Sequence, residues 1–483
     1  MSVFVAAVPT PAPTAASPAL RLGAAERLAL LCDPGSVTTL RGTVASRRGG
    51  GPAPAGDGVV AGWGAVGGRP IVCYAQDETV AGGSLGAAQA DTIVRVLGHA
   101  ADAGVPVVGL FASAGARVQE GTAALAGYAR VFRAIVALSG RVPQVSVVTG
   151  TCAGGGSYAP ALTDFVVMTR AAAMFLTGPR VVREALGEEI AADALGGVGV
   201  HARTGVCDFV ADDELDAFAV ARDVLAHLPQ RAGAVPPRAP VRAPLGGDPG
   251  DCAPTDLRRV YDVRDVARAI VDGGALREVA PRWARNVVTA LARLDGRPLG
   301  LVANQPRHLG GAIDAEAAQK AARFVRVCDS YGLPLVVLVD TPGFLPGSGQ
   351  ERRAVIRHGA ELLHAFAAAR VPCLSVVTRQ AFGGAYITMS SKDLGADYAL
   401  AWQRARIGVM GARHAVRLVH RREIAQSQRP ERRERELSER YVVEHQLAHA
   451  AARDGYLDAV IAPRETRARL CAALELLGQR GTR

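Results

Sequence analysis

Two glycine-rich runs have the composition to do chemistry with main-chain groups. The first is Cys152-Ala153-Gly154-Gly155-Gly156-Ser157-Tyr158 and the second is Ala381-Phe382-Gly383-Gly384-Ala385-Tyr386. Each follows an apolar stretch led by Val-Pro: Val142-Pro143 before the first, Val371-Pro372 before the second. Pro143 and Pro372 are 229 positions apart, as are Gly155 and Gly384, and Pro106 and Pro334 are 228 apart. Self-similarity at a fixed offset means one fold used twice. A strand that runs through a glycine turn into a helix leaves the first helical amides without intrahelical acceptors, and those donors are suited to a developing oxyanion. Gly155 and Gly156, with Gly384 and Ala385, are therefore the candidate catalytic donors. Glycine alone permits any tight turn; the matched frame is what singles these turns out.

Other residues compete for attention. Gly82-Gly83-Ser84-Leu85-Gly86 fits the G-x-S-x-G pattern of a hydrolase elbow and would make Ser84 a nucleophile. That elbow needs a buried strand before it, and Asp77-Glu78-Thr79-Val80-Ala81 does not read as one. The sequence predicts a glycine-rich helix start there instead. Ser113-Ala114-Gly115-Ala116-Arg117 and Asp340-Thr341-Pro342-Gly343-Phe344 read as strand-to-loop turns on the same face. Arg117 either meets an anionic ligand or closes a structural ion pair. No His spacing suits a metal, no Walker sequence is present and no acid–base dyad emerges. Chemistry here is expected to run on backbone donors and a cofactor, with no metal in the chain.

The elements that must hold these turns alternate strand and helix. Val105–Phe111 and Val145–Thr149 read as buried strands, Ala87–Ala100 and Tyr128–Leu138 as helices. In the second half Leu335–Val339 and Leu374–Thr378 are the strands, Ala315–Ser330 and Gly359–Ala369 the helices. Such alternation predicts α/β units with right-handed crossovers, and ligands at the carboxyl ends of the strands. Residues 1–20 are Ala/Pro-rich and expected to be flexible; 21–230 form one domain, 231–254 a linker and 255–483 a second domain. Leu22–Leu31 is a short helix pattern, and 47–58 read as a loop.

Composition narrows the class. The chain has 483 residues, 49% apolar and 21% charged, which is globular. No apolar run is long enough to span a membrane, and a signal peptide is not expected, so the sequence predicts a cytoplasmic enzyme. The 8 cysteines are scattered singly without a C-x-x-C pair, which excludes a common zinc ribbon and leaves a disulfide framework unsupported. The net charge of +10 comes almost wholly from arginine. Its densest run, Arg417–Arg440, interleaves glutamates at helical spacing and reads as a solvated charged helix, not a nucleic-acid face.

The motifs resemble those of a known family. Gly56-Asp57-Gly58-Val59-Val60-Ala61-Gly62-Trp63-Gly64, Gly82-Gly83-Ser84-Leu85-Gly86, Gln119-Glu120-Gly121, Ala303-Asn304-Gln305-Pro306, Pro342-Gly343-Phe344-Leu345-Pro346-Gly347 and Met389-Ser390-Ser391-Lys392 look like the carboxyltransferase (β) subunit of biotin-dependent acyl-CoA carboxylases. The likeness runs over about residues 22–478. It implies two tandem crotonase-like (ββα-superhelix) domains related by an internal repeat, in a homohexameric ring. It also implies a site shared between the N-terminal domain of one subunit and the C-terminal domain of another.

On the acyl-CoA side the resemblance implies Gly155 and Gly156 as enolate donors, with Gly154, Gly115, Ala116 and Arg117 binding substrate. On the biotin side it implies Gly384 and Ala385 at the ureido oxygen, with Gly383, Tyr386 and Phe344 around the cofactor. Ile387 would line the acyl pocket, where an apolar residue goes with acetyl-CoA or broad-range members. Biotin would arrive on a partner carrier, since neither Lys320 nor Lys392 lies in a Met-Lys-Met context and no ATP-binding segment is recognisable. A biotin carboxylase/biotin carrier (α) subunit is thus the expected partner. The expected reaction is transfer of a carboxyl group from carboxybiotin to a short acyl-CoA, giving malonyl-CoA or methylmalonyl-CoA. The rivals are a biotin-dependent decarboxylase or transcarboxylase subunit, a serine acyl hydrolase using Ser84, and a non-catalytic scaffold.

Overall fold

The computed structural model describes residues 22–46 and 54–478. The expected flexible segment 1–20 and residues 47–53 of the expected loop lie outside them.

Two eight-stranded sheets carry the chain. The first comprises β1 (Thr38–Leu40), β2 (Val59–Val66), β3 (Arg69–Gln76), β4 (Val107–Ser113), β5 (Gln144–Ala153), β6 (Phe165–Thr169), β7 (Ala173–Phe175) and β8 (Phe209–Ala211). Its order is β1-β2-β3-β4-β5-β6-β8, with β7 pairing β5. The second comprises β9 (Arg277–Val279), β10 (Val287–Leu294), β11 (Arg297–Asn304), β12 (Leu335–Thr341), β13 (Cys373–Phe382), β14 (Tyr398–Trp402), β15 (Arg406–Gly408) and β16 (Ala459–Ile461). It runs β9-β10-β11-β12-β13-β14-β16, with β15 pairing β13.

Both sheets open on an antiparallel hairpin, β2–β3 and β10–β11, and continue as parallel strands. Parallel strands are covered on both faces and so read as unbroken apolar runs; every residue of β4 and of β12 is buried. Helices Ala87–Ala103 and Thr122–Leu138 cross from β3 to β4 and from β4 to β5; Ala315–Ser330 and Val355–Ala367 do the same in the second half. Ala87–Ala103 buries Ala90, Ile93, Val96, Leu97 and Ala100, the spacing of one helical face.

The repeat reaches into backbone detail. Ala81-Gly82-Gly83 and Leu309-Gly310-Gly311 form the same short turn, with φ of 49°, 63° and 69° against 50°, 61° and 80°. In both, the last glycine lies so close to the next strand that a Cβ would stand 2.0 Å from the Ala112 carbonyl oxygen or 2.4 Å from that of Asp340. Only glycine fits there. The bridges Leu85↔Ala116 and Ile313↔Phe344 follow at the same offset.

The halves share a core. Phe165, Phe209 and Phe218 lie in one buried cluster with Trp283, Phe324 and Tyr331. Arg323 Nη1 stands 2.6 Å from Asp208 Oδ1, and the Tyr331 hydroxyl donates to Asp164 Oδ2 at 2.6 Å. Burial pushes the Asp164 carboxyl up to about 6. Between His227 and Pro249 the chain forms no helix or strand.

The charged run departs from expectation. It is no single helix but three, Ala412–Val419, Arg421–Gln426 and Pro430–Tyr441. Pro430 stands at the first position of its helix, where its missing N–H costs nothing and its ring disfavours a continuous helix through Arg429. The charges therefore pair across helices: Glu434 accepts from Arg413 at 2.5 Å and Arg417 at 3.0 Å, and Glu423 pairs with Arg433.

Candidate active site

Each glycine turn sits where a central parallel strand ends and a short helix begins. After β5, Gly154 takes φ 55° and ψ −127° and donates its amide to the Phe175 carbonyl at 3.0 Å. That backbone region is open essentially to glycine alone. Gly155 and Gly156 are then the first two residues of the helix Gly155–Ala161, where amides have no intrahelical acceptor. After β13, Gly383 takes φ 59°, the counterpart of Gly154 at the offset of 229. Gly384 and Ala385 follow as Gly155 and Gly156 do, in the helix Gly383–Thr388. In both turns the first donor is the more open and the second is buried.

The surroundings differ. Over the first turn lies Tyr128, whose ring would be 2.9 Å from a Cβ on Gly155; its hydroxyl is 3.2 Å from Ser113 Oγ. Burial pushes the Tyr128 phenol up to about 12, so it stays protonated. Ser113 also accepts from the Gly115 amide at 3.3 Å, and a Cβ on Gly115 would approach the Ala153 carbonyl to 3.0 Å. The structure thus brings Gly115 beside the residues that lead into Gly154. Ala116 follows it, bridged to Leu85.

Over the second turn lies Phe344, the counterpart of Ala116, 3.9 Å from where a Gly384 Cβ would stand. The turn lines a cavity of 650 Å³ formed by Gly383, Gly384, Tyr386, Ile387, Val409 and Tyr456 among others. That is an ordinary volume for a small-molecule site. Tyr386 is held by burial at about 12 and reaches the Tyr456 carbonyl at 3.5 Å. Ile387 is 48% exposed in this cavity.

Arg117 is engaged within the protein. Its Nη1 lies 2.6 Å from Asp57 Oδ1 and 3.1 Å from Glu120 Oε1, and Nη2 donates to the Ser84 carbonyl at 3.0 Å. With 7% exposure it closes a structural ion pair and forms a strut under the Gly82–Gly86 turn. Ser84 loses its elbow as well. β3 ends at Gln76, and the equivalent place in the second half is Ala312, so the turn is part of the repeat whether or not it carries a hydroxyl. Among the described residues no group of His, Cys, Asp and Glu could hold a metal ion. No helix among them is long and apolar enough to cross a membrane.

Sequence reasoning missed Tyr128, Tyr456 and the buried pair Asp340–Arg379. The pair could have been found by comparing the two halves, because Ala112 and Gly150 stand at its places in the first.

What these residues build is an α/β enzyme made of one unit used twice. A carboxyl transferase domain model matches residues 17–482, and the chain belongs to that family, as a carboxyltransferase of the biotin-dependent acyl-CoA carboxylase type. It is 45% identical over 429 residues to the propionyl-CoA carboxylase carboxyltransferase subunit of Haloferax mediterranei, covering 87% of this chain and 83% of that one. It is 45% identical over 425 residues to the methylmalonyl-CoA carboxyltransferase 12S subunit of Propionibacterium freudenreichii subsp. shermanii, covering 87% and 81%. A crystal structure of the transcarboxylase 12S hexamer with methylmalonyl-CoA and methylmalonic acid bound superposes with a TM-score of 0.93 at 43% identity, covering 95% of this chain and 90% of that chain. The fold is thus the expected pair of crotonase-like units.

Proposed function

We propose that this chain transfers a carboxyl group between carboxybiotin and the α-carbon of a short acyl-CoA, to give malonyl-CoA or methylmalonyl-CoA. The observation that carries the reading is the pair of glycine turns, alike in frame and in left-handed φ at Gly154 and Gly383. Gly155 and Gly156 donate to the thioester oxygen as the enolate forms; Gly384 and Ala385 donate to the ureido oxygen. Preorganised donors at a developing oxyanion are worth roughly 3–4 kcal/mol each. The cavity at Gly383, Gly384 and Tyr386, walled by Ile387 and Val409 with Asp393, Glu444 and Arg453 also lining it, has room for a bicyclic group, with Phe344 beside Gly384. Biotin, when bound there on a carrier from a partner α subunit, supplies the carboxyl group and a basic nitrogen for the α-proton.

The chain acts in a homohexamer, in the cytoplasm, with the acyl-CoA side of one protomer facing the biotin side of its partner. The likeness to the 12S hexamer supports this arrangement. Ile387 favours an acetyl or mixed acyl range; one methylene discriminates by about 1–3 kcal/mol.

The test is turnover of methylmalonyl-CoA and of malonyl-CoA by the purified chain with free biotin, followed by mass. Biotin-dependent loss of the carboxyl group is expected. Thioester hydrolysis that ignores biotin would sink the proposal.

A further inference from the structure

The two halves differ most in what stands behind their turns. In both sheets the ladder between the two central strands breaks just before the turn. β4 and β5 pair at Phe111↔Val148 and next at Ser113↔Cys152; β12 and β13 pair at Val339↔Val377 and next at Thr341↔Ala381. Ala112 thus faces 149–151, and Asp340 faces 378–380. A broken ladder bends the strand and leaves backbone groups unpaired.

In the first half the break holds no ion pair among the described residues: Thr149 lies in it, and the Glu78 carboxylate reaches to 3.1 Å from where a Gly150 Cβ would stand. A Cβ on Gly150 would come within 3.1 Å of the Ala112 Cβ. In the second half a buried ion pair fills it. Arg379 Nε is 2.9 Å from Asp340 Oδ2, with side-chain exposures of 6% and 1%. The rest of the guanidinium is engaged too: Nη1 donates to the carbonyls of Arg259 at 2.7 Å and Pro254 at 3.2 Å, and Nη2 to that of Leu257 at 3.3 Å. Its Cζ stacks 4.9 Å from the centre of the Tyr261 ring.

Both members lead directly into the second turn. Asp340 precedes Thr341-Pro342-Gly343-Phe344, which delivers Phe344 to Gly384; Arg379 precedes Ala381-Phe382-Gly383. Removing one partner of a buried pair leaves an uncompensated charge, so such a pair holds its strands in one relative position. Arg379 further ties that position to the 254–261 segment. A planar fork that reaches a carboxylate and three carbonyls at once cannot be replaced by a lysine ammonium.

We propose that Arg379 and Asp340 are positioning residues that hold the second glycine turn, and only that turn, in its donor geometry. Resting on the reading above, their effect on turnover falls on the biotin side of the reaction, not on the acyl-CoA side.

The experiment pairs hydrogen exchange with kinetics on the full chain. Amide exchange of 382–387 and of 153–159 is followed in the wild type, Arg379→Lys and the milder Asp340→Asn. With either variant the second turn is expected to exchange at least tenfold faster while the first is unchanged. In the assay with free biotin the KM for biotin is expected to rise, or kcat to fall, about tenfold or more, with the KM for methylmalonyl-CoA within twofold. Equal loosening of both turns, unchanged exchange at the second turn in the folded Asp340→Asn protein, or a rise in the acyl-CoA KM alone would overturn the proposal. A wild type that exchanges as expected but shows no biotin-dependent turnover overturns the functional reading, while the variants' exchange still decides the positioning role.

Discussion

The first glycine turn is held by packing and the second by charge. Behind the first stand Tyr128, Ser113 and the Ala112–Gly150 contact, with the exposed Glu78 carboxylate beside it; behind the second stand Asp340 and Arg379, an ion pair sealed from solvent. The backbone path is the same in both, so the path itself does not dictate how it is held. A packed turn fails by steric crowding, whereas a charge-braced turn fails when one charge is removed.

The harshest way to break the comparison is to ask both turns for the same forbidden backbone. Gly154→Ala and Gly383→Ala each place a Cβ at φ near 55–59°, with Gly154 also at ψ −127°. Strain of about 1–3 kcal/mol, with displaced donors, is expected to lower kcat at least 100-fold in both. Steady-state turnover with free biotin measures it.

One residue on, the halves should part company. A Cβ on Gly155 meets the Tyr128 ring at 2.9 Å, while one on Gly384 finds nothing nearer than Phe344 at 3.9 Å. Gly155→Ala is expected to lose tenfold or more in kcat/KM for the acyl-CoA. Gly384→Ala is expected to fold with an unchanged Tm and stay within about threefold. A Gly384→Ala protein as damaged as Gly155→Ala would break the distinction.

Asp57→Ala tests the strut under the first half. It removes the nearer carboxylate of the buried Arg117 and is expected to cost about 3–5 kcal/mol, seen as a lower denaturant midpoint. The KM for acyl-CoA should change little in the protein that remains folded.

Acidity offers a finer comparison. Burial raises Asp164 and Asp340 to about 6 each, above their unfolded value near 4. A carboxyl with a raised folded pKa contributes stability that is complete below pH 4 and is lost as pH rises through 6. Acidification from pH 7 to 5 should therefore recover about 1 kcal/mol at Asp164, and Asp164→Asn should lack that share; at Asp340 the same protonation also removes the charge facing Arg379. Denaturant curves of the wild type and that variant at both pH values measure the difference.

The smallest effect is expected at Ser84→Ala, since Ala312 already fills the equivalent place. Stability should move by less than about 0.5 kcal/mol and carboxyl transfer not at all. Loss of turnover would restore the hydrolase reading.

Some of this was legible in the sequence and some was not, for physical reasons. Helix Ala315–Ser330 matches its periodic signal end to end, because Asp314 caps it and Gly332 stops it. The helix read from Tyr128 starts earlier, at Thr122, because Ala and Gly in its first turns blur the apolar period. β5 and β13 run on to Ala153 and Phe382, past the expected ends, because the ladder resumes beyond its break. The turns were visible because local glycine patterns repeat. The pair that braces one of them was hidden: Asp340 and Arg379 lie 39 positions apart in strands that otherwise read as apolar. The sequence around Arg117 did not show its ion pair, because Asp57 lies 60 positions away.

The seam between the halves has a consequence for how the gene can be cut. Arg323 reaches Asp208, Tyr331 reaches Asp164, and Trp283 packs against Gly205, all across the seam and far from the connecting chain in sequence. The connection around 229–248 adds its own bonds to both halves, Gln230 to Arg69 and Ala239 to Gly296, but the seam does not depend on its continuity. Two separate polypeptides broken there, for instance at the exposed Gly246-Gly247, are expected to find one another when co-expressed and purify together. This carboxyltransferase could thus be carried as two genes with the same architecture.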